Sequence, residues 1–141
     1  MTRSNRQLTQ FAVRKVEEFI RFGPDGFQDE AQGNTEVKIE HSSLQVRLFG
    51  EVIFSIGNSQ VTLFGGNFYD SIGRPSRTTR ERLNGLLDSL GQLHFIPEGT
   101  RAFIDKETGQ CRVGSGDKTR NFDETTKPIS IISNPNSLVF S

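Results

Sequence analysis

The sequence predicts an α+β fold: an antiparallel sheet of about five to eight strands with two helices packed against it. Three observations lead there. Apolar residues near the amino terminus recur at helical spacing, short alternating runs follow over residues 35–65, and a capping signature opens a leucine stripe near residue 80.

The first helix is expected over residues 5–22. Leu8, Phe11, Ala12, Val16, Phe19 and Ile20 share one face, and Arg14, Lys15, Glu17, Glu18 and Arg21 share the other. Gly23-Pro24 ends it, because proline cannot continue a helix and glycine relaxes the exit. Residues 23–35 are polar and aperiodic and read as a loop, acidic where the helix start (Arg3, Arg6) is basic.

Residues 35–65 read as a β-meander. Val37 and Ile39 alternate with charges, and Leu44, Val46 and Leu48 alternate with Gln45 and Arg47. Phe49-Gly50-Glu51 is a tight connection into Val52–Ile56, and Gly57-Asn58-Ser59 turns the chain into Val61, Leu63 and Phe64. An irregular loop follows, opened by Gly65-Gly66. The second helix is expected over residues 79–90. Thr78 and Glu81 form its capping box, Leu83, Leu86, Leu87 and Leu90 its stripe, and Gly91 its exit.

Hairpins and late strands are expected over residues 93–140. Phe95-Ile96 reads as strand, Pro97-Glu98-Gly99 as turn, and Ala102-Phe103-Ile104 as strand. Thr108-Gly109 turns into Cys111-Arg112-Val113, residues 114–127 form a polar mobile loop, and Ile129–Ile132 and Leu138–Phe140 close the chain. Leu138–Phe140 is either a strand that pairs across a dimer or an ordinary sheet edge. The 141 residues suit a single domain, 1–141.

Lys and Arg number 17, as do Asp and Glu, so no overall basic field draws the protein onto nucleic acid. Any such contact requires a local patch. One cysteine forbids an intrachain disulfide and, with no signal peptide, points to a reducing cytoplasm. No apolar run approaches the ~20 residues of a membrane span. Twelve Phe stand beside one Tyr and no Trp. Phe lacks a polar handle, so most of them belong to the core.

Two histidines and one cysteine offer no recognisable metal motif, and no cofactor is expected. Asp25 and Asp29 read as a solvated acidic loop. Cys111 with His94 is the one conceivable thiol–imidazole pair, set against the plainer reading of Cys111 as a small core residue. Gly65-Gly66 and Gly73 do not make a phosphate-cradling loop of standard form. No catalytic residue is assigned.

The stretch Gly73–Arg82 is different, because it gathers four arginines and three hydroxyls at a helix start. Free N–H groups and the helix dipole favour an anion there, and guanidinium forks suit phosphate oxygens. Arg74, Arg77, Thr79 and Arg80 are the candidate anion-binding residues, with Arg3 and Arg6 as outlying contacts. The alternative is structural: a capping box, with arginines paired to surface carboxylates. The apolar stripe of the first helix is likewise either core or a docking face for a partner.

Val46 to Leu87 resembles a group of small proteins encoded by phages and other mobile elements, including cyanobacterial relatives. The resemblance rests on Leu48-Phe49-Gly50, Gly65-Gly66 and the Ser/Thr-x-Thr-Thr-x-x-Arg-Leu-Asn run Ser76–Asn84, with Gly99–Ile104 as a late strand. It implies a small accessory protein of phage or mobile-element type, of a kind that often inhibits or binds host machinery, and the cytoplasm expected above is then that of the bacterial host. Within the run, Asn84 is a poor mid-helix residue and is expected to bond the backbone of a neighbouring strand or loop. Arg82 is expected to anchor the loop before the helix through its carbonyls.

The combined reading is a non-enzymatic binding protein that occupies a host protein or a phosphate-bearing ligand, with no membrane partner. A protein-directed binder predicts an exposed patch from Phe22, Phe27 and Phe68. A nucleic-acid or nucleotide binder relies on the arginine-rich helix start. A hydrolase using His94 is the third reading.

Overall fold

The computed structural model describes residues 4–125 and 128–141. Arg3 lies outside the described residues. Helix α1 spans Asn5–Phe22, as the spacing predicts. Its start carries a capping box absent from the sequence reading: the Ser4 hydroxyl accepts from the Gln7 N–H, and the Gln7 side chain accepts from the Ser4 N–H. Gly23 ends it at φ 73°, its N–H donating to the Phe19 carbonyl.

Strands β1 (Glu30–Gln32), β2 (Thr35–Glu40), β3 (Ser43–Leu48), β4 (Glu51–Gly57) and β5 (Gln60–Leu63) form a continuous antiparallel meander. β1 lies within the stretch expected to be loop. Three residues with one apolar side chain carry too little alternation to reveal a strand. The pairs His41-Ser42, Phe49-Gly50 and Asn58-Ser59 all have positive φ, the twist that tight hairpins require. A register shift after Val46 lets the adjacent Ile53 and Phe54 both point inward.

Helix α2 spans Arg77–Gln92, beginning before the expected residue 79 and ending beyond residue 90. Its N-cap is Ser76, whose hydroxyl accepts from the Thr79 N–H. The expected Thr78–Glu81 box is therefore corrected: Thr78 sits inside the helix, and the Glu81 carboxylate is engaged by Arg77 and Asn5. Gly91 is helical and buried, packed so closely against Glu98 that a side chain there would press on backbone. It serves a close approach, not a helix exit.

The carboxy-terminal third holds β6 (Arg101–Ile104), β7 (Cys111–Ser115), β8 (Lys118–Asn121), β9 (Ile129–Ile132) and β10 (Val139–Phe140). Phe95-Ile96 is not a strand. It follows a turn in which the Phe95 N–H donates back to the Leu90 carbonyl. The stretch 114–127, expected to be loop, contains β8, and its residues 126–127 lie outside the described residues. β8 has no apolar face, so no alternation marks it. Backbone pairing to β7 makes it a strand.

One sheet of seven strands runs β1-β2-β3-β4-β5-β9-β10, and a second of three runs β6-β7-β8. Both are antiparallel throughout, giving the α+β class. β9 is placed beside β5 by pairing Ile129–Ile132 with Gln60–Leu63. Helices α1 and α2 pack on each other and on the larger sheet, and α2 also meets β6. One core links both sheets through Val46, Phe54, Leu63, Leu86, Cys111, Val113 and Phe122. The α1 stripe is therefore core. Of the phenylalanines, Phe11, Phe54 and Phe122 are buried, and Phe19, Phe27, Phe95 and Phe140 pack against the core.

Candidate functional site

The chain between β5 and α2 is irregular but tightly tied. Asp70 Oδ1 accepts from the N–H groups of Ile72 (3.1 Å) and Arg74 (3.0 Å), and the Asp70 N–H donates to the Arg74 carbonyl. The Arg74 Nε donates to Asp70 Oδ2 at 2.6 Å, and its Nη1 reaches the Gly109 carbonyl. The Ser76 N–H donates to the Phe68 carbonyl, and Tyr69 pairs with Pro75 across the loop. Burial works to raise the Asp70 pKa, but the hydrogen bonds from Arg74 and Ile72 outweigh it and hold the carboxyl below its ordinary value.

These ties place the four candidate anion-binding residues. The arginine side chain of Arg74 is committed to Asp70 and Gly109. The Arg77 Nε donates to Glu81 at 2.7 Å, although its side chain is 85% exposed. Thr79 is buried, with its hydroxyl on that of Ser76 at 2.9 Å. The Arg80 Nε donates to the Pro75 carbonyl. Arg6 is exposed on α1, along the groove between the helices.

Arg82 and Asn84 are both structural. Asn84 clasps Ala102 of β6 by accepting from its N–H (2.8 Å) and donating to its carbonyl (2.9 Å), which is the backbone bond expected of it. Arg82 departs from expectation. It is fully buried and donates to Thr9, Thr35 and Asn5, so it locks α2 to α1 and β2 instead of to the preceding loop. Burial lowers its pKa to about 10, which leaves it charged at neutral pH.

Cys111 is buried in β7, and burial pushes its thiol up to about 11, while His94 is exposed. A buried, protonated thiol is a poor nucleophile.

The tied loop instead displays apolar side chains. Phe68 is 46% exposed and Ile72 62%, and Phe68 meets Phe49 of the β3–β4 turn edge-on, with ring centroids 5.2 Å apart. The patch expected from Phe22, Phe27 and Phe68 is thus rearranged: Phe27 packs edge-on against Phe19, Lys15 lies 4.4 Å over its ring, and Phe68 takes Phe49 as neighbour. Phe22 is exposed at the end of α1. Phe49 and Ile72 were missed by sequence reasoning. The signal for Phe49 was Phe49-Gly50 itself, since a hairpin turn of this kind favours Asn or Asp before glycine.

Beside the patch lies a cleft of about 360 Å³, lined by Glu51, Phe64, Gly65, Tyr69, Phe122 and Asp123, among others. Its lining includes Glu51 and Val52, the first two residues of β4, which directly follow the Phe49-Gly50 turn. Among the described residues, no helix is long and apolar enough to cross a membrane.

No curated protein and no solved structure matches the chain. The family model described as Kyanoviridae Gp96 protein matches residues 13–126, a span running from α1 past β8 that contains the tied loop and the aromatic patch. That span is well over half of the chain, so this phage protein belongs to the Kyanoviridae Gp96 family.

Proposed function

We propose that this phage accessory protein works by binding, not turnover, and that it occupies a host protein through Phe49, Phe68 and Ile72. The observation that carries the reading is Phe49, a bulky side chain at φ 51° and 60% exposed. Left-handed backbone costs a residue with a Cβ roughly 1–2 kcal/mol. The edge-on contact with Phe68 returns about 0.5–1.5 kcal/mol. Folding therefore gains almost nothing from phenylalanine at this turn, and its outer face is left for something else. The Asp70–Arg74 ties hold Phe68 and Ile72 in place beforehand, which lowers the entropy lost on docking.

The test is capture from host lysate after nuclease treatment, with wild type compared against Phe49→Asn and Phe68→Ser. Retention of one host protein by wild type, and its loss from both variants, is the expected result. Capture that is indifferent to both substitutions overturns the patch as the binding surface.

A phosphate-bearing ligand, nucleic acid or nucleotide, at Arg77 and Arg80 is the second reading. The exposure of Arg77 favours it, because an exposed i,i+4 ion pair holds its guanidinium only weakly. Recovery of nucleic acid or nucleotide that disappears in the Arg74/Arg77/Arg80 triple-alanine variant would establish this reading instead.

A further inference from the structure

The smaller sheet has two outer strands, β6 and β8, and only one of them is covered. The N–H and carbonyl of Ala102 on β6 are both taken by the Asn84 side chain of α2. β8 has no such cover. Beyond its end the Phe122 N–H donates to the Cys111 carbonyl, while Asn121 faces Arg112 and Thr119 faces Gly114 across the ladder. Alternation along an antiparallel pair then points the N–H groups of Thr119 and Asn121, and the Asn121 carbonyl, away from β7. Among the described residues, neither of these N–H groups takes a partner.

Arg112 brings a charge to this edge. Its side chain crosses from β7 over β8, where Nε donates to the Thr119 hydroxyl (2.9 Å) and Nη2 to the Thr119 carbonyl (3.2 Å). Nη1 donates to the Asn121 side-chain oxygen. All three acceptors are neutral, so the guanidinium is fixed in place while its charge stays uncompensated. Lys118 and Arg120 are exposed and add cations on the opposite face of the strand. Arg120 lies 4.6 Å over the Phe140 ring, again a partner without net charge. Strands β6, β7 and β8 contain no Asp or Glu, and the nearby acids Asp105, Glu107, Asp117 and Asp123 all lie in the connecting segments.

Lys and Arg on an outer strand ordinarily keep one sheet edge from pairing with another. Here that protection is selective. It opposes a second copy, whose β8 would bring the same cations, and it admits a strand whose side chains are acidic. A nucleic acid would match the charges, but its phosphates only accept hydrogen bonds and leave the Asn121 carbonyl unmatched. A peptide strand supplies donors and acceptors together.

We propose that the free edge of β8 takes up an extended acidic segment of a partner protein as a further strand, with main-chain bonds to Thr119 and Asn121 and carboxylates beside Arg112, Lys118 and Arg120. This surface is separate from the Phe49–Phe68 patch, and its assignment holds whether or not the patch binds.

The test uses the full chain and short peptides blocked at both ends. Amide exchange and amide shifts are followed while a peptide of alternating Glu and Val is added, and then its Gln–Val and Lys–Val counterparts. The Glu–Val peptide is expected to slow exchange at Thr119 and Asn121 and to bind about threefold or more tighter than the Gln–Val peptide. The Lys–Val peptide is expected to give no protection. Lys118→Glu, at an exposed position, weakens the Glu–Val response by about threefold. Arg112→Gln weakens it too, and Phe49→Asn leaves it in place. Should Arg112→Gln loosen β8 itself, Lys118→Glu still decides the outcome. Absence of protection at Thr119 and Asn121, equal binding of the Glu–Val and Gln–Val peptides, or protection of these amides by oligothymidylate overturns the assignment.

Discussion

Phe49, Asn84 and Arg82 show how differently single side chains relate to the fold. Replacing Phe49 with Asn relieves the left-handed backbone and removes one ring contact, so stability should stay within about 1 kcal/mol of wild type in urea unfolding. A much larger loss would mean that the ring is structural. Asn84→Ala leaves the Ala102 N–H and carbonyl without their partners at a buried position. A loss of roughly 1–3 kcal/mol is expected by the same measurement. Arg82→Lys keeps the charge, but one ammonium cannot reach three divergent oxygens on α1 and β2. It should cost roughly 3 kcal/mol and lower the thermal midpoint, and near-neutral behaviour would show that the three bonds carry little net stability.

Among the elements, the loop between β5 and α2 has the clearest dependence on conditions. The Asp70 carboxyl titrates below its ordinary value of 3.8 because its bonds to Arg74 and Ile72 outweigh the effect of burial. A depressed carboxyl stabilises the folded form above its unfolded pKa, and that contribution is lost as pH falls through the folded pKa. Acidification below about pH 4 should therefore speed amide exchange at Ile72 and Arg74 while leaving β4 protected. Asp70→Asn should abolish that acid-dependent step. This element was also the least legible in the sequence. Asp70 to Arg74 is an ordinary loop composition until the backbone folds back and lets one carboxylate take two N–H groups and a guanidinium. The arginine cluster Arg74–Arg80 was legible as residues but not as partners, because an arginine's nearest carboxylate depends on the path of the loop.

Across the whole molecule, two sheets share one core, and Cys111 sits where the smaller sheet joins it. Its thiol is buried, and burial raises it to about 11. Modification by a thiol reagent should therefore follow opening of the β6–β7–β8 sheet, slow in native buffer and fast once urea exposes that sheet. Rapid native labelling would contradict this placement.

The sequence by itself determined the local, repetitive features: α1 to its terminal residues, the β2–β5 meander, the leucine stripe of α2, and the backbone-bonding role of Asn84. Each is written in a period or a special residue within a few positions of where it acts. Tertiary structure alone decided that Arg82 turns inward to α1 and β2 and that Phe49 faces Phe68. Those two outcomes depend on groups far apart in the chain, and contacts formed at that range leave no periodic mark on it. The Ser76 cap and the β7–β8 pairing are local, but a hydroxyl one turn from its N–H and a hairpin strand with no apolar face carry no periodic mark either.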